Sequence, residues 1–283
     1  MASESQPQVI LITGCSTGFG RALSEVALDR GFRVISTARR VETLEALRDK
    51  GATTLKLDVT APFDELVKFA AEAWAVYGQV DYLINNAGYL LGGAIEESTP
   101  EEVQAQFNTN FFGLLNLTNA FLPHFRARRA GTIVNISSKG GTINMVGCGI
   151  YCATKAAVDS ISDCWSRELK EFGIRCISIQ PGSFSSAVGE SSNVRRGSNR
   201  IAGYTAPDKV MVDFTAAAGT ERGDTMKGSA RIIDFVTAGG GKGRLPMRLT
   251  LGDDSYESVK GVRKQWMDEM EEFKSWGAGT DFD

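Results

Sequence analysis

Along the chain, short runs of β-branched and aliphatic residues alternate with longer stretches in which apolar positions recur every three or four residues. "VILIT" (9–13) reads as a buried strand. "GFGRALSEVALDRG" (18–31) follows as a helix with Leu23, Val26 and Ala27 on one face and Gly31 as its stop. The alternation repeats with a strand at 33–38, a short helix at 41–50, a strand at 53–59 and a helical stretch through Phe63, Leu66, Val67 and Ala70. It continues with a strand at 80–88, a long helix over about 100–129, a strand at 131–137, a helix over about 151–172 and a strand at 174–182. Six strand-then-helix units in succession predict right-handed crossovers and an α/β fold, a doubly wound parallel sheet of about seven strands with helices on both faces.

After Gly182 the periodicity fails. Residues 183–203 are rich in Ser, Gly and Asn. They read either as a plain surface loop or, because they follow a strand's C-terminal end, as a lid; the region 183–227 is taken as the substrate-binding lid. A helix near 226–238, a glycine tract, a strand-like "RLPMRLTL" (244–251) and an amphipathic helix within 253–276 complete the chain. No composition break or internal repeat marks a second domain, so 1–283 is read as one domain.

Composition narrows the function. The length of 283 residues suits one large α/β domain. A net charge of −3 leaves no broad basic field, which argues against nucleic-acid and anionic-membrane partners, so an anionic ligand must be held locally. The opening "MASESQPQ" has neither the basic nor the apolar segment of an export signal, and the apolar runs stop well short of a membrane span. A cytoplasmic location is therefore expected. Five cysteines (Cys15, Cys148, Cys152, Cys164, Cys176) form no CxxC pair and point to free thiols. His124 is the only histidine, so neither a His-based triad nor a multi-His metal site is expected. Any proton chemistry must use another side chain.

"TGCSTGFG" (13–20) joins the first strand to the first helix. Glycines there allow a tight turn and close approach of backbone to a pyrophosphate, and the helix N-terminus supplies N–H groups for it, so a dinucleotide is the expected ligand. Its identity depends on the end of the second strand, "STARR". Ala38 stands where an NAD site places an acid, and Arg39 and Arg40 follow. The pair could be merely solvated, but the missing acid favours NADP(H), with Arg39 as the main contact to a 2′-phosphate. "IYCATKA" (150–156) sets Tyr151 four residues before Lys155, on one helical face. Alone this spacing is weak; its meaning depends on the rest of the chain.

Taken together, these motifs resemble the short-chain dehydrogenase/reductases, single-domain Rossmann enzymes, over almost the whole chain. "TGCSTGFG" resembles the family's TGxxxGxG, "DVT" (58–60) its adenine-contacting Asp, and "NNAG" (85–88) its fourth-strand motif; Asn110 in "NTNFFG", "ISS" (136–138), "YCATK" (151–155) and "PG" (181–182) follow in order. The closing "GTDFD" and Trp276 are similar to a large bacterial and fungal group of these enzymes. The resemblance implies Asn110, Ser138, Tyr151 and Lys155 as the catalytic set. Ser138 is favoured over Ser137 because adjacent strand residues face opposite ways and the family's residue is the second. It also implies a cofactor shell of Gly14, Ser16, Thr17, Gly18, Phe19, Gly20, Arg39, Arg40, Asp58, Val59, Asn86, Ala87, Gly88, Tyr151, Lys155, Pro181, Gly182, Phe184 and Ser186. Ser186 stands where the family often has Thr, and Thr17 where many NADP-using members carry a basic residue.

The chemistry these residues imply is hydride transfer between NADP(H) and a carbonyl or alcohol. An unperturbed phenol, with a pKa of ~10, exchanges protons poorly near neutrality, so a neighbouring cation that favours phenolate is useful; Lys155 would supply it. Ser138 would orient the carbonyl oxygen, and Asn110 would hold a water leading from Lys155 to solvent. An NADPH-dependent ketone or aldehyde reductase is the leading expectation. An alcohol dehydrogenase working oxidatively and a non-catalytic redox sensor are the alternatives. For the substrate, Leu90, Ser138, Lys139, Met145, Val146, Tyr151 and Phe184 are expected lining residues, and Arg195 and Arg196 could meet an acidic group. A homodimer or homotetramer through the helices at 100–129 and 151–172 is what the family implies.

Overall fold

A computed structural model of the chain describes residues 6–185, 193–216, 219–240 and 244–282. The first half runs β1 (Val9–Ile12), α1 (Gly18–Asp29), β2 (Arg33–Ala38), α2 (Glu45–Asp49), β3 (Thr53–Lys56), α3 (Phe63–Tyr77), β4 (Tyr82–Asn85) and a short β5 (Leu90–Gly92). Then come α4 (Pro100–Phe107), α5 (Gly113–Arg128), β6 (Gly131–Ile136), a one-turn α6 (Gly140–Ile143), α7 (Gly149–Glu168) and β7 (Ile174–Pro181). The last part holds β8 (Phe184–Ser185), β9 (Val194–Arg196), α8 (Thr205–Ala216), β10 (Gly223–Asp224), α9 (Thr225–Thr237), β11 (Arg248–Leu251), α10 (Asp253–Glu272) and α11 (Lys274–Gly277).

Seven strands form one parallel sheet in the order β3-β2-β1-β4-β6-β7-β11. Both faces are covered, which is why its strands read as continuous apolar runs. Alternate side chains feed two cores: Val9 and Leu11 pack with Leu66, Phe121 and Trp165 of α3, α5 and α7, while Ile10 and Ile12 pack with Leu23, Leu47 and Ile232 of α1, α2 and α9. Helix boundaries follow local chemistry. Thr99 and Glu102 close a capping box with Pro100 at the first helical position, and Gly78 ends α3 at φ 75°.

Four differences from the sequence pattern have physical causes. The helix expected over 100–129 is broken by a π turn at Asn108–Phe112, which the apolar spacing does not register. The strand expected from 244 begins only at Arg248, since Pro246 cannot donate to a ladder. The aperiodic stretch 183–203 contains β8, parallel to β10, and β9, parallel to β5. Helix α8 stands where the sequence shows no helical pattern, because Pro207 and the small residues around it mask its short apolar stripe. Ser186 lies outside the described residues.

Candidate active site

The turn between β1 and α1 is built for close approach. Gly14 and Gly18 hold φ of 71° and 57°. A Cβ on Gly14 would lie 2.9 Å from Ala87 Cα, and one on Gly20 only 2.3 Å from the Gly14 carbonyl oxygen. The fourth-strand motif braces the turn from below: Asn86 Nδ2 donates to the carbonyls of Thr13 (2.9 Å) and Gly14 (3.2 Å), and Thr13 Oγ1 accepts from the N–H groups of Asn86 (2.9 Å) and Ala87 (3.0 Å). Ser16, Thr17 and Phe19 stand on its rim, where Phe19 packs edge-to-face on Phe184 at 5.1 Å.

At the ends of β2 and β3, Arg39 and Arg40 are exposed, and neither guanidinium has an acidic partner among the described residues. Asp58 Oδ1 accepts from Thr60 N (2.9 Å) and Oγ1 (2.7 Å), fixing the next turn, and Val59 packs beneath Gly113.

Tyr151 and Lys155 lie one turn apart near the start of α7, with the ammonium 5.7 Å from the phenol ring centroid. Lys155 Nζ donates to the Ile136 carbonyl at 2.8 Å. Burial pushes the Tyr151 phenol up to about 12, against the pull of the Ser138 hydroxyl beside it. Burial pulls the Lys155 ammonium down to about 8, partly opposed by Asp159 one further turn along. Ser138 Oγ accepts from Gly140 N at 3.0 Å, which orients the hydroxyl. The π turn carries Asn110 into the same space: its Nδ2 donates to Tyr89 O (2.9 Å) and Thr154 Oγ1 (3.2 Å), and its Oδ1 accepts from Tyr89 N (3.0 Å). A Cβ on Gly88 would sit 3.1 Å from Asn110 Oδ1 and 3.8 Å from Lys155 Nζ, so Gly88 leaves open the gap between them. The structure thus gathers Gly88, Asn110, Ser138, Tyr151 and Lys155 at the C-terminal edge of the sheet.

Other expected residues are committed elsewhere. Lys139 Nζ pairs with Asp254 Oδ2 at 2.7 Å and donates to Ser183 Oγ at 3.3 Å, so its charge faces α10. Phe184 fills a slot formed by glycines; Cβ atoms on Gly223 and Gly228 would lie 2.5 Å and 2.7 Å from its ring. Pro181 O accepts from Lys139 N, and Gly182 abuts Asp254 so closely that a Cβ there would lie 2.0 Å from its Oδ1. Arg195 stacks on the Tyr89 ring at 4.4 Å, and Arg196 pairs with Asp208 at 3.0 Å.

Three features escaped the sequence. The expected lining residues Leu90 and Met145 are joined around the Tyr151 ring by Cys148, Cys152, Val194 and Met211, and it is the contribution of Val194 and Met211 that the sequence does not show. Val194 lies in β9 and Met211 in α8, and only the short stripe Val210, Met211, Phe214 foreshadows the latter. The segment 198–201 is pinned by two acids: the buried Glu97 accepts from Ala94 N (2.9 Å), Ile201 N (3.0 Å) and Arg200 Nη1 (2.9 Å), and Glu102 accepts from Ser198 N (3.2 Å). Finally, the buried Asp159 accepts from Ser178 Oγ and from Gln180 Nε2 (2.7 Å) beneath Lys155, and burial raises its carboxyl.

Among the described residues no three His, Cys, Asp or Glu side chains are grouped to hold a metal ion, and no helix is long and apolar enough to cross a membrane. A parallel sheet with a glycine turn at its first strand and a Ser–Tyr–Lys group at its C-terminal edge defines a nucleotide-binding α/β enzyme class. The short chain dehydrogenase family model matches residues 8–197, and the chain belongs to that family and is an oxidoreductase. A curated 3-ketodihydrosphingosine reductase of Bacteroides thetaiotaomicron is 40% identical over 191 residues, 67% of this chain and 68% of that one. A solved short-chain dehydrogenase of Streptomyces avermitilis superposes with a TM-score of 0.88 at 34% identity, covering 99% of this chain and 100% of that one. An actinorhodin polyketide ketoreductase solved with NADPH gives 0.71 at 27%, covering 88% and 97%. Solved structures of this fold hold NADP in some cases and NAD in others.

Proposed function

We propose that the protein is an NADPH-dependent reductase of a ketone or aldehyde carried on an apolar body. The observation that carries this reading is the convergence of Ser138, Tyr151 and Lys155 beside an apolar cluster that includes Tyr151, at the same sheet edge as a turn whose Gly14 and Gly20 pack too tightly against Ala87 and the Gly14 carbonyl to admit a side chain. That turn and the α1 N-terminus suit a pyrophosphate, Arg39 and Arg40 suit a 2′-phosphate, and Lys155 suits a ribose. When bound, NADPH supplies the hydride. Tyr151 gives its proton to the alkoxide that forms on the carbonyl oxygen, Ser138 orients that oxygen by hydrogen bonding, and the Lys155 cation stabilises the phenolate left behind. The relatives named as reductases support the reductive direction.

The test is NADPH oxidation over a panel of apolar ketones and aldehydes. Tyr151→Phe should reduce kcat about a hundred- to ten-thousand-fold with the fold intact, the usual share of general acid catalysis; equal rates would remove Tyr151 from the chemistry. Arg39→Asp should shift preference from NADPH towards NADH by removing a charge-assisted phosphate contact and supplying an acceptor for a ribose hydroxyl. An unchanged ratio of the two kcat/KM values would assign selectivity elsewhere.

A further inference from the structure

Asp159 is a buried carboxylate that the hydride chemistry leaves without a task. It is 1% exposed and lies one turn beyond Lys155 on the inner face of α7. Its setting is that of an anion. The groups that meet it are donors: Ser178 Oγ to Oδ1, Gln180 Nε2 to Oδ2 at 2.7 Å, and the Arg248 guanidinium, whose Nη1 stands 3.9 Å from Oδ2. Arg248 is bound mainly to Asp163, at 2.5 Å and 3.1 Å, so it neutralises Asp159 only in part. The carboxylate also reaches back towards the catalytic turn. The point that a Cβ on Gly141 would occupy is 2.7 Å from Asp159 Oδ2 and 2.9 Å from the Lys155 carbonyl oxygen. That carbonyl accepts from Ser137 Oγ at 3.1 Å, and Gln180 Nε2 donates onward to Thr142 Oγ1 at 3.0 Å. A negative charge thus sits where β6, α6, α7 and β7 meet, beneath the lysine and against the loop that carries Ser138. A buried charge costs stability that an apolar side chain of similar size would not, so hydrogen bonding alone is a weak reason for its presence.

We propose that Asp159 is a positioning residue for the reduction put forward above, acting through Lys155: its negative charge holds the ammonium in its charged form while Tyr151 gives up its proton. The inference rests on that reading of the site. Burial works against the Lys155 cation and Asp159 works for it, whereas burial and Asp159 both disfavour the Tyr151 phenolate. Loss of the anion therefore lets both groups lose their protons at lower pH. The other ionisable groups around this turn do not replace it. Cys148 and Cys152 on α7 stay neutral because burial raises both thiols, Asp163 is taken by Arg248, and Asp254 of α10 is paired with Lys139. The counter-charge for Lys155 falls to Asp159.

The test is the pH dependence of carbonyl reduction by the full chain, together with isotope-edited NMR of labelled lysine side chains, in which the Lys155 signal is assigned by its absence from Lys155→Met. In Asp159→Asn, which keeps the shape, the descending limb of kcat/KM and the Lys155 titration should both move down by about one pH unit, the lower end of the effect of a neighbouring opposite charge. kcat/KM should then be about tenfold below wild type at about pH 9 and converge with it at about pH 6. Ser178→Ala removes one hydrogen bond and keeps the charge, so it should weaken the fold and leave both midpoints in place. Adding Gln180→Glu to Asp159→Asn returns an anion from the strand side and should bring both midpoints back towards wild type. Asp159→Ser, small and able to accept from Gln180, serves as the neutral variant if the asparagine chain does not fold. A rate lowered equally at every pH, with the Lys155 titration unmoved, overturns the proposal and leaves Asp159 a structural role only. A wild type that reduces no carbonyl sinks the reductase reading instead, and the lysine titration still decides whether Asp159 holds the charge.

Discussion

Lys155 shows most clearly what the site costs the fold. Its ammonium is buried, and burial pulls it down to about 8. Relative to an exposed lysine near ~10.4, that depression corresponds to about 3 kcal/mol against folding at neutral pH. The unfolded chain binds the proton more tightly, so this penalty is fully present below pH 8 and is relieved as pH rises towards the unfolded value. Lys155→Met should therefore abolish turnover yet raise the thermal midpoint at pH 7, with loss of the bond to Ile136 O offsetting part of the gain. Thermal scans at pH 7 and pH 10 check this: the variant's advantage should shrink at the higher pH, and an advantage that grew would contradict the burial argument. That Tyr151, Lys155, Ser138 and Asn110 would meet at one edge of the sheet was legible from the sequence because their order and spacing survive in one dimension. Asp159 was not legible as a partner. Its i+4 spacing from Lys155 is visible, but Ser178 and Gln180, which hold it, arrive only when β7 docks beside α7.

Among the elements, the parallel sheet was legible because strands buried on both faces leave unbroken apolar runs. The π turn and the elements within 183–227 were not. A π turn changes the phase of a helix without changing its apolar spacing, so the sequence reads as one helix where α4 and α5 are offset to bring Asn110 inward. The segment 194–201 takes its order from tertiary partners: β9 borrows β5, and the backbone N–H groups of Ser198 and Ile201 are satisfied by Glu102 and Glu97. The N–H groups of Ile201 and Ala94, assisted by Arg200, hold the Glu97 carboxyl below its ordinary range, so it binds the 200–201 backbone and guanidinium as an anion. Glu97→Gln keeps the shape and loses the charge. The apparent KM for the carbonyl substrate should rise several-fold while kcat changes little, and trypsin should cut sooner at Arg196 and Arg200. Unchanged proteolysis would show that β5–β9 pairing alone holds the segment.

Across the whole molecule, the C-terminal helix ties its first turn to the edge of the sheet that carries the chemistry. Asp254 accepts from Lys139 Nζ at 2.7 Å and Ser183 N at 2.9 Å, and Ser255 Oγ donates to Gln180 O at 2.8 Å. The loops after β6 and β7 are thereby joined at one carboxylate, next to Ser138. Burial alone would raise the Asp254 carboxyl; Lys139 and the Ser183 N–H outweigh it and hold it below its usual range. The amphipathic pattern of 253–276 announced a helix but not this junction, because Lys139 and Asp254 are 115 residues apart. If the junction positions Ser138, then Asp254→Ala and Lys139→Met should each weaken the fold and lower kcat/KM. In a double-mutant cycle their effects should be non-additive by about 0.5–3 kcal/mol, the range for residues in direct contact. Chemical denaturation and carbonyl turnover measured on all four chains give the two coupling energies. Coupling in stability without coupling in kcat/KM would mean that the junction holds the helix alone, and coupling in both would place the C-terminal segment within the machinery that aims the Ser138 hydroxyl.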